Sequence, residues 1–329
     1  VTDIAISIEG LGEDILAAYA ASGMDRGRAG RAAIDWAFQA NPRPFAVARR
    51  NGEVVGLSAY IRSRLNLSGH PAIAMQAVDS FVLEQARGQG VFTRLAQAYD
   101  RFARDEGADL VWGFPNSNAA PAWFGKMGWA PLGQVPFLIK PLRAGFLLRK
   151  FRLPFDFPLS FTADQHLTPI TGFGDWADAL WSGLAPETGC AVSRDRAFLN
   201  QRLFNGPAAG GYRVVASEGD PGAFVATTEA TKHGGRIGYL LEAMGQRDLD
   251  GLLASELGRL RDRGAELVLA WSYPWSPNYR TLRKAGFVPL PDRLRPIDIW
   301  FGARPLTAVA APAADARRWY LSYLDSDTV

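Results

Sequence analysis

The sequence predicts an α/β chain of two similar halves in tandem, each a mixed twisted sheet flanked by helices. Three observations carry that expectation. Strand-like alternation and helix-like periodicity interchange along the whole length. The order of elements in the first 142 residues returns after residue 165. Two segments also recur in register: Gly107-Ala108-Asp109-Leu110-Val111 matches Gly264-Ala265-Glu266-Leu267-Val268, and Lys126-Met127-Gly128-Trp129-Ala130-Pro131-Leu132 matches Lys284-Ala285-Gly286-Phe287-Val288-Pro289-Leu290. The spacing between copies is nearly constant, which a chance likeness of two apolar strands would not preserve.

In the first half a short strand is expected near Ile4–Ile8, then helices near Gly12–Ser22 and Gly27–Gln39. Phe45–Arg50 and Val54–Arg64 alternate around Asn51-Gly52, a hairpin signal. Ala72–Leu83 reads as a further strand. A helix from about Gln89 to Glu106 sets Leu95, Tyr99 and Phe102 on one face. Asp109–Phe114 follows as a buried strand, then a short helix to Met127 and a strand near Phe137–Lys140. The second half repeats the order. Its strands fall near Leu167–Ile170, Tyr212–Ser217, Gly222–Glu229, Arg236–Ala243, Glu266–Trp271 and Ile297–Gly302. Its helices fall near Asp175–Leu184, Asp195–Phe204, Leu249–Arg263 and Pro277–Ala285. Domains are therefore expected at 1–142 and 165–306. The Pro-containing stretch 143–164 is the expected linker and 307–329 the tail, joined through Ala308–Ala314.

The 329 residues suffice for two cores, and 48% apolar with 21% charged residues marks a globular chain. Net charge is +3 and arginines are spread throughout, so a dedicated nucleic-acid binder is not expected. The lone Cys190 excludes an internal disulfide and a thiolate metal site. His70, His166 and His233 are scattered without metal-ligand spacing, so no metal is expected. No apolar run approaches the roughly 20 residues of a membrane span, and the N-terminus lacks a signal-peptide pattern. The expected location is cytoplasmic, with no membrane partner; a homodimer is left open.

The strongest chemical signal is Arg87-Gly88-Gln89-Gly90-Val91-Phe92-Thr93, between a strand and an amphipathic helix. Such a turn aims free backbone N–H groups and the positive end of a helix at one point, which suits a pyrophosphate. Glycines allow close approach of the phosphate. Taken alone, the same residues also fit a plain strand-to-helix turn.

With its surroundings, this segment resembles the GNAT superfamily of acyl-CoA N-acyltransferases. The Arg/Gln-x-x-Gly-x-Gly/Ala turn matches at Arg87 and Gly90, with Phe92 where a small residue is usual. Asn116-Ser117-Asn118 closes a strand, and Phe124-Gly125-Lys126-Met127-Gly128-Trp129 is similar to the family's aromatic-x-Lys-x-Gly-aromatic segment. The likeness covers most of 1–142 and, more faintly, 165–306. It implies two GNAT domains in tandem and acetyl-CoA as co-substrate, held by Val82, Arg87, Gly88, Gln89, Gly90, Val91, Phe92, Thr93, Asn118 and Phe124. It also implies that Val82 ends a bulged strand and offers its backbone N–H to the acyl carbonyl. Transfer is direct, to the amine of a small molecule such as an amino sugar or amino-acid derivative.

Direct transfer needs a base for the amine, charge stabilisation at the thioester oxygen and a proton for the leaving thiolate. Asp79 is the nearest carboxylate for the first role, or else makes a structural hydrogen bond. Gln76 stands where some relatives carry a glutamate, and Glu84 is expected in solvent. Asn116 and Asn118 either meet pantetheine amides or cap the next helix. Phe124 occupies the position of the family's acid tyrosine and has no phenol, the largest departure.

Aligned through the repeat, Gly88-Gln89-Gly90 falls on Gly245-Gln246-Arg247, so the second half is expected to be degenerate. Trp271-Ser272-Tyr273-Pro274-Trp275 either lines an acceptor pocket or packs. The tail from Trp319 to Val329, aromatic and then acidic, is expected to dock, either at the acceptor cleft or on the outer surface. Two other readings stay open: a non-catalytic acyl-CoA sensor or scaffold, and a peptidoglycan-bridge-type aminoacyl transferase, against which the absence of a helical arm argues.

Overall fold

The computed structural model describes residues 4–23, 30–145, 155–159, 167–217, 222–232 and 235–326. The chain forms two compact units, Val1–Gln134 with Asp298–Arg318, and Val135–Ile297 with Trp319–Val329. In the first unit the chain makes β1 (Ala5–Glu9), α1 (Glu13–Ser22), α2 (Arg31–Phe38), β2 (Phe45–Arg50), β3 (Glu53–Leu67) and β4 (His70–Val82). It continues through α3 (Val91–Asp105), β5 (Leu110–Gly113), α4 (Ala120–Lys126) and β6 (Ala130–Gln134). The second unit follows with β7 (Phe137–Pro141), α5 (Asp175–Leu184), β8 (Cys190–Val192), α6 (Arg196–Leu203), β9 (Tyr212–Ala216), β10 (Ala223–Lys232) and β11 (Gly235–Gly245). Then come α7 (Leu249–Asp262), β12 (Leu267–Trp271), α8 (Tyr279–Lys284) and β13 (Val288–Pro289). The chain returns to the first unit as β14 (Trp300–Pro305).

The first sheet runs β1-β2-β3-β4-β5-β14-β6. It is antiparallel except where β4 and β5 lie parallel. Helices cover both faces. On one, Val91, Leu95, Ala96, Tyr99 and Ala103 of α3 are buried against Ala46, Ala48, Met75 and Val111. On the other, α1 and α2 bury Ile15, Tyr19, Ile34 and Phe38 against Phe45, Val47 and Leu57. Each large side chain so buried contributes about 1.5–3 kcal/mol. Tyr99 stacks on Tyr60 with ring centroids 3.5 Å apart, and its hydroxyl accepts from Asn41 Nδ2 at 2.8 Å. Buried Asp100 of α3 pairs with Arg304 of β14; burial pushes its carboxyl up, against the pull of Arg304.

At the edge of this sheet, Arg49 binds both Glu9 and Asp14 at 2.6 Å. Its hydrogen bonds hold both carboxyls below their usual range. Depressed folded-state values mean that this pairing stabilises above the ordinary carboxylate pKa and is lost as pH falls through the depressed ones. Amide exchange at Ala5–Ile8 should therefore quicken below about pH 4, the unperturbed carboxylate range. Unchanged protection there at acid pH would refute the assignment.

The second sheet runs β13-β7-β12-β11-β10-β9, with β11 and β12 parallel. Its core places Leu249, Leu252, Leu253, Leu257 and Leu260 of α7 against Val215, Val225, Leu240 and Val268.

The units do not follow the sequential division at 142 and 165. The strand expected to finish the first half is β7, which pairs with β12 and β13 in the second sheet. The strand expected to finish the second half is β14, which sits between β5 and β6 in the first. Alternating hydrophobicity marks a strand without naming the sheet it completes. Several bounds also shift. The second helix begins at Arg31, and residues 27–29 lie outside the described residues, as do His166, His233 and 327–329. The strand expected at Leu167–Ile170 is an isolated bridge, Pro169 to Val215. In the expected linker, Arg143 bridges Pro158.

Candidate functional site

The site is set by how two parallel strands part. Pairing of β4 with β5 begins at Ala74 opposite Leu110 and ends at Ala77 opposite Gly113. Beyond that point β4 stays with β3 up to Val82 opposite Gly56, whereas the chain after β5 follows β14: Trp300 N–H donates to the Pro115 carbonyl, and Asn116 bridges Ile299. A wedge opens between them. Gly113 makes the close approach at its apex, since a Cβ there would lie 2.7 Å from the Ala77 carbonyl oxygen.

A bulge re-aims β4 at the mouth of the wedge. The register with β3 shifts between Ser58–Ser80 and Tyr60–Ala77, so Val78 and Asp79 together face Ala59. Ala77 and Val82 consequently both pack toward α3, while Val78 and Phe81 both pack toward α1 and α2. Without the extra residue those parities could not coexist. A set of hydroxyls backs the bulge: Ser58 Oγ donates to the Tyr60 hydroxyl at 3.2 Å and lies 2.8 Å from Ser80 Oγ, and Ser80 Oγ donates to the Val78 carbonyl at 3.1 Å. Burial pushes the Tyr60 phenol well up, so it stays protonated.

Val82 ends the strand in a telling orientation. Leu83 N–H donates to the Val55 carbonyl at 2.9 Å, which makes Leu83–Val55 a hydrogen-bonded pair. The adjacent pair Val82–Gly56 is then non-hydrogen-bonded, and its N–H and C=O point away from β3. The Val82 carbonyl is taken by Arg87 Nε at 3.0 Å. Its N–H is directed into the wedge.

The glycine turn follows at once. Gly88 and Gly90 both have positive φ, 74° and 68°, and nothing lies within 4 Å of a Cβ built on either. Gly90 is the N-cap of α3, and the first helical bond runs from Arg94 N–H to its carbonyl at 3.1 Å. The N–H groups of Val91, Phe92 and Thr93 therefore have no acceptor within the helix. Gln89 and Arg87 are exposed, and Thr93 is half-buried. Phe92 leans edge-on against Trp123, 5.0 Å between centroids. A residue that sequence reasoning missed holds the turn: Arg50, at the end of β2, donates to Gln89 Oε1 at 2.7 Å and to the Gln85 carbonyl at 3.1 Å. Its place before Asn51-Gly52 reads only as hairpin. Arg50→Ala should weaken binding of coenzyme A, the ligand that the resemblance implies, about threefold to tenfold, the range of one or two exposed hydrogen bonds; calorimetry showing no change would remove it from the site.

Asp79 is half-buried at the bulge and accepts from Tyr19 hydroxyl at 3.2 Å. Gln76 is buried further down β4, and Glu84 is exposed. On the other wall, Asn116 Oδ1 accepts from the N–H groups of Asn118 and Ala119 at 3.1 and 3.0 Å, so this side chain caps the approach to α4. Asn118 itself is exposed. Phe124 is half-buried, edge-on to Trp300 at 6.2 Å, with its ring against Gly302. A Cβ on Gly302 would meet Phe124 at 2.5 Å and Trp129 at 3.1 Å. Gly302→Ala should therefore displace the ring and cost about 1–3 kcal/mol, as overpacking does; an unchanged urea midpoint would contradict this packing.

The second unit contains the same device, filled. Pairing of β11 with β12 ends at Leu240 opposite Ala270, and β11 carries a bulge between Ala226–Glu242 and Thr227–Leu240. Counting from the last parallel pair, Glu242 corresponds to Asp79 and Gly245 to Val82. Helix α7 then starts from Asp248, an N-cap with φ 61° like that of Gly90. Seven residues, Leu83–Gln89, separate Val82 from Gly90; only Gln246 and Arg247 separate Gly245 from Asp248. The counterpart of Gly90 is therefore Asp248, not Arg247 as the repeat alignment implied, because α7 is one residue shorter than α3, 14 residues against 15.

The C-terminal tail lies across the ends of β11 and β12. Tyr323 stacks on Trp271 with centroids 4.5 Å apart and meets Phe137 and Tyr239 edge-on. Glu242 accepts from the Tyr320 hydroxyl, from Ser322 Oγ at 2.9 Å and from Arg194 Nε at 3.0 Å. Arg194, fully buried, also forks onto both Asp325 oxygens at 2.8 and 2.6 Å. Trp275 Nε1 donates to the Trp319 carbonyl. The aromatic segment Trp271–Trp275 thus packs the tail, and Asp325 is committed to Arg194. Among the described residues no group of His, Cys, Asp or Glu is placed to hold a metal, and no helix is long and apolar enough to cross a membrane.

Residues 17–132 match the family described as acetyltransferase (GNAT) domain. No curated protein matches the chain. Among solved structures, the chain is similar to a GCN5-related N-acetyltransferase from Anabaena variabilis, with 13% identity, TM-score 0.68 and coverage of 93% of this chain and 73% of that one. It is also similar to a GCN5-related N-acetyltransferase from Kribbella flavida, with 16% identity, TM-score 0.65 and coverage of 95% and 74%. Saccharomyces cerevisiae N-myristoyltransferase with bound myristoyl-CoA shares the fold at 13% identity, TM-score 0.55 and coverage of 82% and 72%.

Proposed function

We propose, on the premise that residues 17–132 are a GNAT acetyltransferase domain, that the first unit is an acyl-CoA-dependent N-acyltransferase and uses acetyl-CoA. The observation that carries the reading is the Val82 N–H, directed into the wedge just ahead of the Gly88–Gly90 turn. The pyrophosphate would sit on the N–H groups of Val91, Phe92 and Thr93, with Gly88, Gln89 and Gly90 giving the close approach. The acyl carbonyl would accept from Val82, which stabilises the oxyanion as the amine attacks. Asp79, half-exposed at the bulge, would take the amine proton or hold the ammonium before it is lost. The C–N bond forms, the C–S bond breaks, and coenzyme A leaves as thiolate or thiol.

The acceptor in this reading is a small amine. The second unit is non-catalytic: Asp248 puts a carboxylate where the acyl donor's phosphates would lie, and the tail fills its wedge. Cytoplasmic location belongs to the proposal, since acyl-CoA is a cytoplasmic donor. The bound myristoyl-CoA of the yeast neighbour supports an acyl-CoA ligand in this fold without fixing the chain length.

Thiol release from acetyl-CoA with a panel of amines tests the reading. Release that depends on an amine and is lost in Asp79→Asn supports it. Binding of acetyl-CoA without release for any amine favours the sensor reading, which the missing phenol at Phe124 makes specific. Phe124→Tyr should keep or raise the rate by supplying a proton donor; a fall in rate would show that the ring serves only packing against Gly302.

A further inference from the structure

Unit two contains a cavity of about 550 Å³ on the β9–β10 side of its sheet, away from the tail and the α7 N-terminus. Four arginines line it: Arg213, Arg236, Arg259 and Arg263. Two carboxylates answer them. Glu256, buried, takes Arg213 at 3.1 Å and Arg259 at 2.7 Å, and accepts from Thr227 Oγ1 at 2.6 Å. Glu229 takes Arg259 at 3.1 Å, Arg263 at 3.0 Å and Arg236 at 3.6 Å. Two positive charges are left over, and they lie on the solvent side, because Arg236 and Arg263 are the most exposed of the four. Arg263 gives only its Nε to Glu229, and Arg236 gives Nη1 to the Arg263 carbonyl. Arg263 Nη1 and Nη2, and Arg236 Nε and Nη2, make no hydrogen bond among the described residues.

Glu256 holds Arg259 and Arg213, Glu229 takes Arg263 Nε at 3.0 Å, and Arg236 is tied to the Arg263 carbonyl at 2.7 Å, so each of the four guanidiniums is held by at least one hydrogen bond. A fork of this kind selects a planar or tetrahedral oxyanion with two or more oxygens. The remaining wall is polar: Thr228, Thr231 and Tyr212 with the backbone of Gly210 and Gly211. The volume exceeds what an inorganic anion fills and falls in the range of a small-molecule site.

We infer that this cavity binds a small phosphorylated polyhydroxyl compound, with the phosphate on Arg236 and Arg263 and the hydroxyls on the threonine wall. The site is separate from the proposed acyl-transfer site and does not rest on it.

Calorimetry at low salt with glucose 6-phosphate, inorganic phosphate and glucose as probes tests this. Glucose 6-phosphate should bind once per chain, inorganic phosphate more weakly, and glucose not detectably. Arg236→Gln and Arg263→Gln should each weaken glucose 6-phosphate about tenfold, the effect of one charge-assisted hydrogen bond. Arg317→Gln, an exposed arginine of the first unit paired only with nearby Asp315, should change nothing. Thermal melts of the variants establish that they fold, and in the parent a rise in melting temperature with glucose 6-phosphate gives a second readout. No binding of glucose 6-phosphate at millimolar concentration overturns the inference. So does equal binding of phosphate and sugar phosphate, or binding that disappears in Gly90→Glu or under saturating coenzyme A, since the anion would then be reading the acyl-donor turn.

Discussion

Acyl-CoA affinity should fall about a hundredfold or more in Gly90→Glu, some 3 kcal/mol by the usual conversion. Two effects add. Gly90 holds φ at 68°, a conformation in which a side chain costs about 1 kcal/mol. The new carboxylate would also stand at the N-terminus of α3, in the field that otherwise favours phosphate, and would repel it directly. No neighbour lies within 4 Å of the built Cβ, so the loss would come from strain and charge and not from a clash in the core. The fold should survive, which melting curves check. Calorimetry with coenzyme A should give one molecule bound per parent chain and none detectable for the variant. Arg247→Ala should leave binding nearly intact. Asp248→Gly should fail to create a second site, because the turn there lacks the residues from Leu83 to Gln89 that carry β4 over to Gly90. Two molecules bound per chain would overturn the assignment of the first unit as the sole acyl-donor site.

Much of this site was legible in sequence because each part is local. Gly88 and Gly90 signal positive φ, the stripe of Leu95, Tyr99 and Phe102 signals α3, and both lie within a few residues of each other. The recurrence of Gly-Ala-acid-Leu-Val was legible for a similar reason: a turn, a buried strand and a helix end recur as a block. What was not legible depends on partners far along the chain. Alternation identifies β7 and β14 as strands, but which sheet each enters is decided by edges more than a hundred residues away. The bulge at Val78–Asp79 shows only in the register against β3. Arg50 looks like a hairpin residue until its guanidinium is seen on Gln89. The offset of the repeat was read as constant, and α7, one residue shorter than α3, broke it. That shift moved the counterpart of Gly90 from a cation to an anion, which changes the physical reason that the second unit cannot take the same ligand.

The duplicated bulge gives Asp79 and Glu242 matched positions and unequal surroundings. Glu242 accepts from a guanidinium, a phenol and a serine hydroxyl supplied by its own unit. Asp79 accepts from Tyr19 and stays half-exposed. The carboxylate at this point of the fold takes a cation in the second unit, and under the proposed function an ammonium acceptor would take the corresponding place in the first.

Removing that partner should have the largest effect on stability of any single change considered. Arg194 is fully buried, forks onto Asp325 and reaches Glu242, Ser322 and the Val192 carbonyl at 2.9 Å. The surrounding carboxylates hold the guanidinium charged against its burial. Asp325→Ala would leave Arg194 with half of its compensation and would also take the acceptor from Ser322 N–H, lost from the capping box at Tyr323–Asp325. Breaking a buried pair from one side costs about 3–5 kcal/mol. Arg194→Ala should cost as much or more, because it strands two carboxylates. The triple replacement Arg194→Met with Asp325→Leu and Glu242→Gln should recover part of the loss, since no charge is then left unpaired at that locus. Urea unfolding followed by tryptophan fluorescence is the measurement, with Trp271 and Trp319 both in this unit. An Asp325→Ala variant with the parent midpoint would mean that the tail only rests on the second unit. A loss of several kcal/mol, together with an unchanged coenzyme A affinity at temperatures where the variant is folded, would separate the locking of the tail from the binding of the acyl donor.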